Sequence, residues 1–226
     1  MVDSNQALIL YETGHVPIYY FPRDDVLMDK LIKTKHKTHC PYKGEASYFS
    51  MSVNDKKSSN AVWSYEDPIS SVAGIKDYVA FYWNKVDQWF EEDEEVFVHA
   101  RSPYVRIDIL DSSRNIRIEL DGNVLAEAER SKLLFETNLP PRYYLQKDAM
   151  KVKLLPSDKE TYCPYKGKAS YYSLEVGDKV YENLLWSYKQ PVLESSKIKE
   201  YLCFFNEKVD TYIDGIIQIR PQSKWS

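Results

Sequence analysis

Two short stretches carry the residues best suited to chemistry. "HCPYKGEASYFS" runs from His39 to Ser50 and "YCPYKGKASYYS" from Tyr162 to Ser173. Each places a cysteine, Cys40 or Cys163, three residues before a lysine, Lys43 or Lys166. An ammonium beside a thiol favours the thiolate, which is the nucleophilic form. Tyr42 and Tyr165 lie between cysteine and lysine, where a phenol could orient or protonate a reacting group. The competing reading is structural, because cysteine is small and usually buried and Cys-Pro at the start of a strand is ordinary architecture. The residues alone leave both readings open.

A second recurring set is aromatic. Tyr20, Tyr42, Trp63, Tyr65 and Asn60 are matched by Tyr144, Tyr165, Trp186, Tyr188 and Asn183, with Lys43 and Lys166 among them. Such residues could line a cleft in which rings hold a flat or cationic ligand and amide, ammonium and hydroxyl groups orient it. They could equally fill a small core. In "WSY" the tryptophan and tyrosine share one face of a strand while serine points to the other. "HKTHC" brings His36, His39 and Cys40 close in sequence, yet all four histidines precede the second copy, so histidine chemistry could serve one copy only. The reading is that no metal or other cofactor is bound.

These sets belong to a duplication. Cys40 matches Cys163 at an offset of 123 positions, as do "NAVWSYEDP" from Asn60 and "NLLWSYKQP" from Asn183. Upstream the offset is 124, pairing "YETGHVPIYYFPRDD" from Tyr11 with "FETNLPPRYYLQKDA" from Phe135. Two homologous domains follow, 1–112 and 113–226. Alternating stretches such as "KASYYSLEV" predict strands, with a turn at Gly177. The apolar spacing of Ile75, Tyr78, Val79, Tyr82, Val86 and Trp89, and of their counterparts from Ile198 to Tyr212, predicts one closing helix per unit. The class expected is mainly β with one helix per unit. Unit two opens with a strand at Ile116–Leu120, an Asp-Gly turn and a second strand, whereas unit one opens at the second of these. The alternating segment 104–110 is the candidate to fold back as the missing strand and cover the open edge.

The combination of "CPYKG", "ASYYS", "WSY" and the segment that follows resembles the domain of unknown function 427 family across nearly the whole chain, in its tandem form. The resemblance implies antiparallel β-tent domains, similar in outline to methionine sulfoxide reductase B and the thalidomide-binding domain of cereblon. A fold does not carry its function with it. Many β-tent relatives hold zinc with two Cys-x-x-Cys pairs, and this chain contains none. Reductase chemistry needs a second thiol to recycle the first, but Cys203 is matched by Ala80, so no resolving pair repeats. A nucleotidyltransferase-like label also attaches to the family. That chemistry wants paired carboxylates for magnesium and a glycine-rich phosphate cradle. The Asp24–Asp25 pair becomes Asp148–Ala149 in the second copy, and seven glycines form no phosphate-binding motif.

Composition narrows the partners. Thirty basic against 34 acidic residues leave a net charge of −4, which provides no field for nucleic acid or an anionic membrane. No stretch is long and apolar enough to span a bilayer. Three scattered cysteines and a start without a basic leader predict a cytoplasmic protein with free thiols. The leading expectation is a tandem protein binding a small ligand or an extended peptide in aromatic-lined clefts. A thiol enzyme and a scaffold without ligand are the alternatives, and the oligomeric state is not encoded legibly.

Overall fold

In the computed structural model, which describes residues 1–223 and 225–226, the alternating segments form antiparallel strands. Unit one, Met1–Ser102, carries β1 (Leu8–Leu10), β2 (Ile18–Pro22), β3 (Leu31–Cys40), β4 (Gly44–Val53), β5 (Lys56–Ser64), β6 (Tyr78–Phe81), β7 (Phe90–Glu91) and β8 (Glu94–Glu95). Unit two, Pro103–Ser226, carries β9 (Ile107–Ser112), β10 (Ile116–Leu120), β11 (Asn123–Ala128), β12 (Ser131–Glu136), β13 (Arg142–Leu145), β14 (Lys153–Cys163) and β15 (Gly167–Val176). It continues with β16 (Lys179–Pro191), β17 (Leu202–Phe204), β18 (Asp210–Ile213) and β19 (Ile216–Ile217).

The main sheet of unit one has the order β1-β2-β6-β5-β4-β3. Unit two repeats it as β12-β13-β17-β16-β15-β14 and adds β9 outside β12. Segment 104–110 therefore does not complete unit one. Residues Ile107–Ser112 pair antiparallel with Ser131–Glu136 instead, and bury Ile109 in the cluster that holds Leu134. The outer edge of β12 would otherwise be unpaired, and β9 covers it. The unit boundary accordingly falls at Ser102 rather than at residue 112.

The expected closing helices are not formed. Ser70–Ile75 and Leu193–Ile198 are short 3-10 turns, and the residues after them become β6 and β17. The helical spacing misleads because β6 lies between β2 and β5, so Val79, Ala80 and Phe81 are buried on both faces. A two-sided apolar run in aromatic and β-branched residues satisfies a helical template while favouring a strand. Among the described residues no helix is long and apolar enough to cross a membrane.

Each unit has two apolar clusters, one on either side of its main sheet's rows of side chains. The first unites Tyr20, Tyr48, Trp63 and Tyr65 in unit one, and Tyr144, Tyr171, Trp186 and Tyr188 in unit two. The second unites Phe49, Met51, Val62 and Val79, or Leu174, Leu185, Leu202 and Val209. In unit two that second cluster is sealed by Ile116 and Ile118 of β10, which lies between β11 and β18.

Candidate functional site

The repeated Cys-Pro-Tyr-Lys segment is the turn between β3 and β4, and again between β14 and β15. The Lys43 N–H donates to the Cys40 carbonyl at 3.2 Å, and the Lys166 N–H to the Cys163 carbonyl at 3.3 Å. Proline pre-sets the turn, and the glycine after it takes a left-handed φ of +102° at Gly44 and +94° at Gly167. A Cβ on Gly44 would meet the Asp67 carbonyl at 3.3 Å, and one on Gly167 the Gln190 carbonyl at 3.1 Å. The glycine thus recurs for backbone conformation and close approach.

The lysines are committed elsewhere. Lys43 Nζ is paired with the Glu12 carboxylate and Lys166 Nζ with that of Glu136, each ammonium nearly buried. Glu12 and Glu136 recur in "YET" and "FET", so their match was present in the sequence, but nothing in it marks them as the lysines' partners. Cys40 and Cys163 are half-buried beside these turns. The Tyr65 hydroxyl lies against the Cys40 thiol, and burial, aided by neighbouring phenols, raises its pKa. Cys203 is fully buried, and burial pushes its thiol up to about 12.

Asn60 and Asn183 recur for a reason of backbone. Both hold a left-handed φ, +47° and +51°, opposite register shifts between Phe49 and Met51 and between Tyr172 and Leu174. Their N–H groups donate to Ser50 Oγ and Ser173 Oγ at 3.0 Å, and their side-chain oxygens accept from Thr34 at 2.7 Å and Ser157 at 2.6 Å. Asparagine tolerates this conformation better than other residues with a Cβ.

Most of the expected aromatic set is core. Tyr20, Trp63, Tyr65, Tyr144, Tyr165, Trp186 and Tyr188 are all buried, whereas Tyr42 is 73% exposed at the tip of its turn. Trp63 and Trp186 meet Tyr20 and Tyr144 edge to face, and Trp186 Nε1 donates to the Tyr144 hydroxyl at 3.2 Å. Burial pushes the Tyr20 phenol up to about 12 and Tyr144 and Tyr188 well above the ordinary tyrosine value.

Open space lies one row further along the same faces. In unit one a shallow cleft of about 320 Å³ is lined by His36, Tyr48, Asn60, Tyr82, Asn84 and Lys85. His36 sits on the Tyr48 ring at 4.4 Å, and Tyr82 sits 4.6 Å from Trp63. In unit two the matching rings, Tyr171 and Phe205, are each covered by an ammonium from the chain itself: Lys159 at 4.6 Å and Lys208 at 5.1 Å. Nearby, Arg142 is buried, bonds Glu207 through two contacts of 2.7 Å and lies over both Trp186 and Trp225. Unit one has Ile18 and Asn84 at the matching positions. The sequence noted His36 only for its closeness to His39 and Cys40 and Tyr82 only on the face of an expected helix, and did not mark Tyr48, because nothing there distinguishes a ring at a cleft from one in a core.

A family model described as a domain of unknown function (DUF427) matches residues 1–92 and 108–215, one match for each unit. The chain belongs to the DUF427 family. No curated protein matches the chain. Among the described residues no group of three or more His, Cys, Asp or Glu side chains is placed to hold a metal ion. His36 faces Tyr48, while His39 pairs with Glu45 at 2.5 Å.

Proposed function

We propose that this DUF427 protein is a binding protein rather than a thiol enzyme, built on two β-tent-like units, and that unit one takes a small ligand presenting a flat or ammonium-bearing face. One observation carries the reading: where unit two covers Tyr171 and Phe205 with Lys159 and Lys208, unit one sets the His36 imidazole over Tyr48 and turns Lys85 to the Ser59 carbonyl, which leaves a shallow cleft bordered by the Tyr82 ring. Cation–ring contacts of this kind contribute roughly 0.5–2 kcal/mol each, so two or three of them support weak to moderate affinity. Asn84 and the Asn60 amide supply polar groups at the rim. A thiol mechanism fits less well, because the lysine three residues after each half-buried cysteine already neutralises a glutamate. Three free cysteines accord with a reducing, cytoplasmic setting.

Thermal shift and tryptophan fluorescence against quaternary amines and neutral heterocycles test the cleft. Binding that raises the melting temperature in the wild type and disappears in Tyr82→Ala is the expected outcome. Millimolar ligand that shifts neither signal would dismiss the reading.

A further inference from the structure

Unit one contains a second opening, a groove of about 610 Å³ bounded by Met1, Met51, Val53, Lys56, Val86 and Asp87 among others. Its position in the fold is fixed by the duplication. Val2 bridges Val26, and the Leu27 N–H donates to the Met1 carbonyl at 3.0 Å. In unit two Ala126 bridges Met150, and the Lys151 N–H donates to the Leu125 carbonyl at 2.9 Å. Met1 and Val2 thus stand where Leu125 and Ala126 of β11 stand. Met51, Val53 and Val86 match Leu174, Val176 and Val209, which pack with Ile116, Ile118 and Leu120 of β10. The groove is the place of β10, and the described residues of unit one supply no strand to it.

The main chain around it is also a strand short. In unit two β18 is paired on one side with β19 and on the other with β10, in the register Ile116↔Ile213 to Glu119↔Asp210. Among the described residues, β7 of unit one pairs with β8 alone. The charges match as well. At the end of β10, Asp121 accepts from the Tyr181 hydroxyl at 2.7 Å and is 3.6 Å from Lys179. Lys56 is the counterpart of Lys179, lines the groove with Lys57 and Lys85, and lies 3.7 Å from the exposed Asp87.

We infer that unit one is an acceptor for an extended segment of another polypeptide, added as a strand beside 87–90, with aliphatic side chains at alternate positions entering the groove and an acidic residue after them reaching Lys56. Main-chain hydrogen bonds supply affinity in this mode and the alternate side chains supply specificity. The inference does not depend on the ring-lined cleft: the two openings share Asn84 and Lys85, but the argument uses Met1, Met51, Val53, Lys56 and Val86, none of which lines the cleft.

The probe is a fluorescein-labelled peptide with the sequence of residues 115–122, NIRIELDG, added to the full chain and followed by anisotropy and amide hydrogen exchange. Expected are saturable one-to-one binding, slowed exchange at 86–90, and no binding by a peptide with serine at the three aliphatic positions. Val53→Asp, at an exposed site on the groove wall, should weaken binding at least tenfold with an unchanged melting curve. Lys56→Glu, far out in solvent, should do so by severalfold and serves if Val53→Asp disturbs the fold. Absence of binding, binding indifferent to both substitutions, or changed exchange at 123–128 and 210–213 instead would overturn the inference. So would a dimer in sedimentation with 86–90 already protected, which would make a second copy the occupant.

Discussion

Gly44 and Gly167 show how a residue inside a motif that looks catalytic can recur for geometry. Each closes a Cys-Pro-Tyr-Lys turn at positive φ with a carbonyl close to where a Cβ would stand, and the tighter approach is at Gly167. Gly167→Ala is therefore expected to destabilise unit two by roughly 1–3 kcal/mol. Gly44→Ala should cost unit one less, both read from denaturant midpoints. Equal or negligible losses would show that the turn absorbs a side chain. The Cys-Pro turn was legible because proline's backbone preference is intrinsic, whereas Asn60 and Asn183, expected as ligand-orienting amides, hold a left-handed backbone opposite a register shift. The recurring lysines were not legible as structural, since Glu12 and Glu136 lie 31 and 30 positions away along the chain and only folding brings them together.

At the scale of elements, strand β13 and the loop after β17 are tied by Arg142 and Glu207. Burial opposes the Glu207 charge, but the Arg142 guanidinium and the Ser223 hydroxyl hold its carboxyl below the usual range. A carboxyl depressed in the folded state adds stability that is present above its unfolded pKa, near 4.5, and is lost as pH falls towards the folded value. Melting of unit two should thus fall below about pH 4.5 more steeply in the wild type than in Glu207→Gln. The same slope in both would assign the acid sensitivity to other carboxylates. Glu207→Ala leaves a buried guanidinium without its anion and should cost about 3–5 kcal/mol. Neither residue attracted notice in the sequence, because Ile18 and Asn84 replace them in the first copy. The β17 segment was misread for a related reason: a central strand buried on both faces has no alternation to display.

For the whole molecule, one duplicated scaffold has been finished in two ways. Unit two takes β9 against β12 and β10 between β11 and β18, whereas the described residues of unit one offer neither. Since β9 pairs within unit two, a fragment of residues 103–226 is expected to melt cooperatively with a β-rich circular dichroism spectrum. A fragment of 113–226 loses the Ile109 contact and opens the β12 edge, a loss of about 2–4 kcal/mol that should lower the melting temperature by about 10 °C. Equal melting temperatures would show that β9 contributes nothing to the fold of unit two.

The sequence by itself determined the duplication, the mainly β class and family membership. These rest on residue order and on local preferences of glycine, proline, asparagine and β-branched side chains. Tertiary structure alone decided which aromatic rings fill a core and which border open space, which carboxylates neutralise the lysines, and which strand lacks a neighbour. Each of those depends on contacts between residues far apart in the chain. Tyr20 and Tyr48 read alike in sequence, yet one lies closed within the sheet and the other borders a cleft.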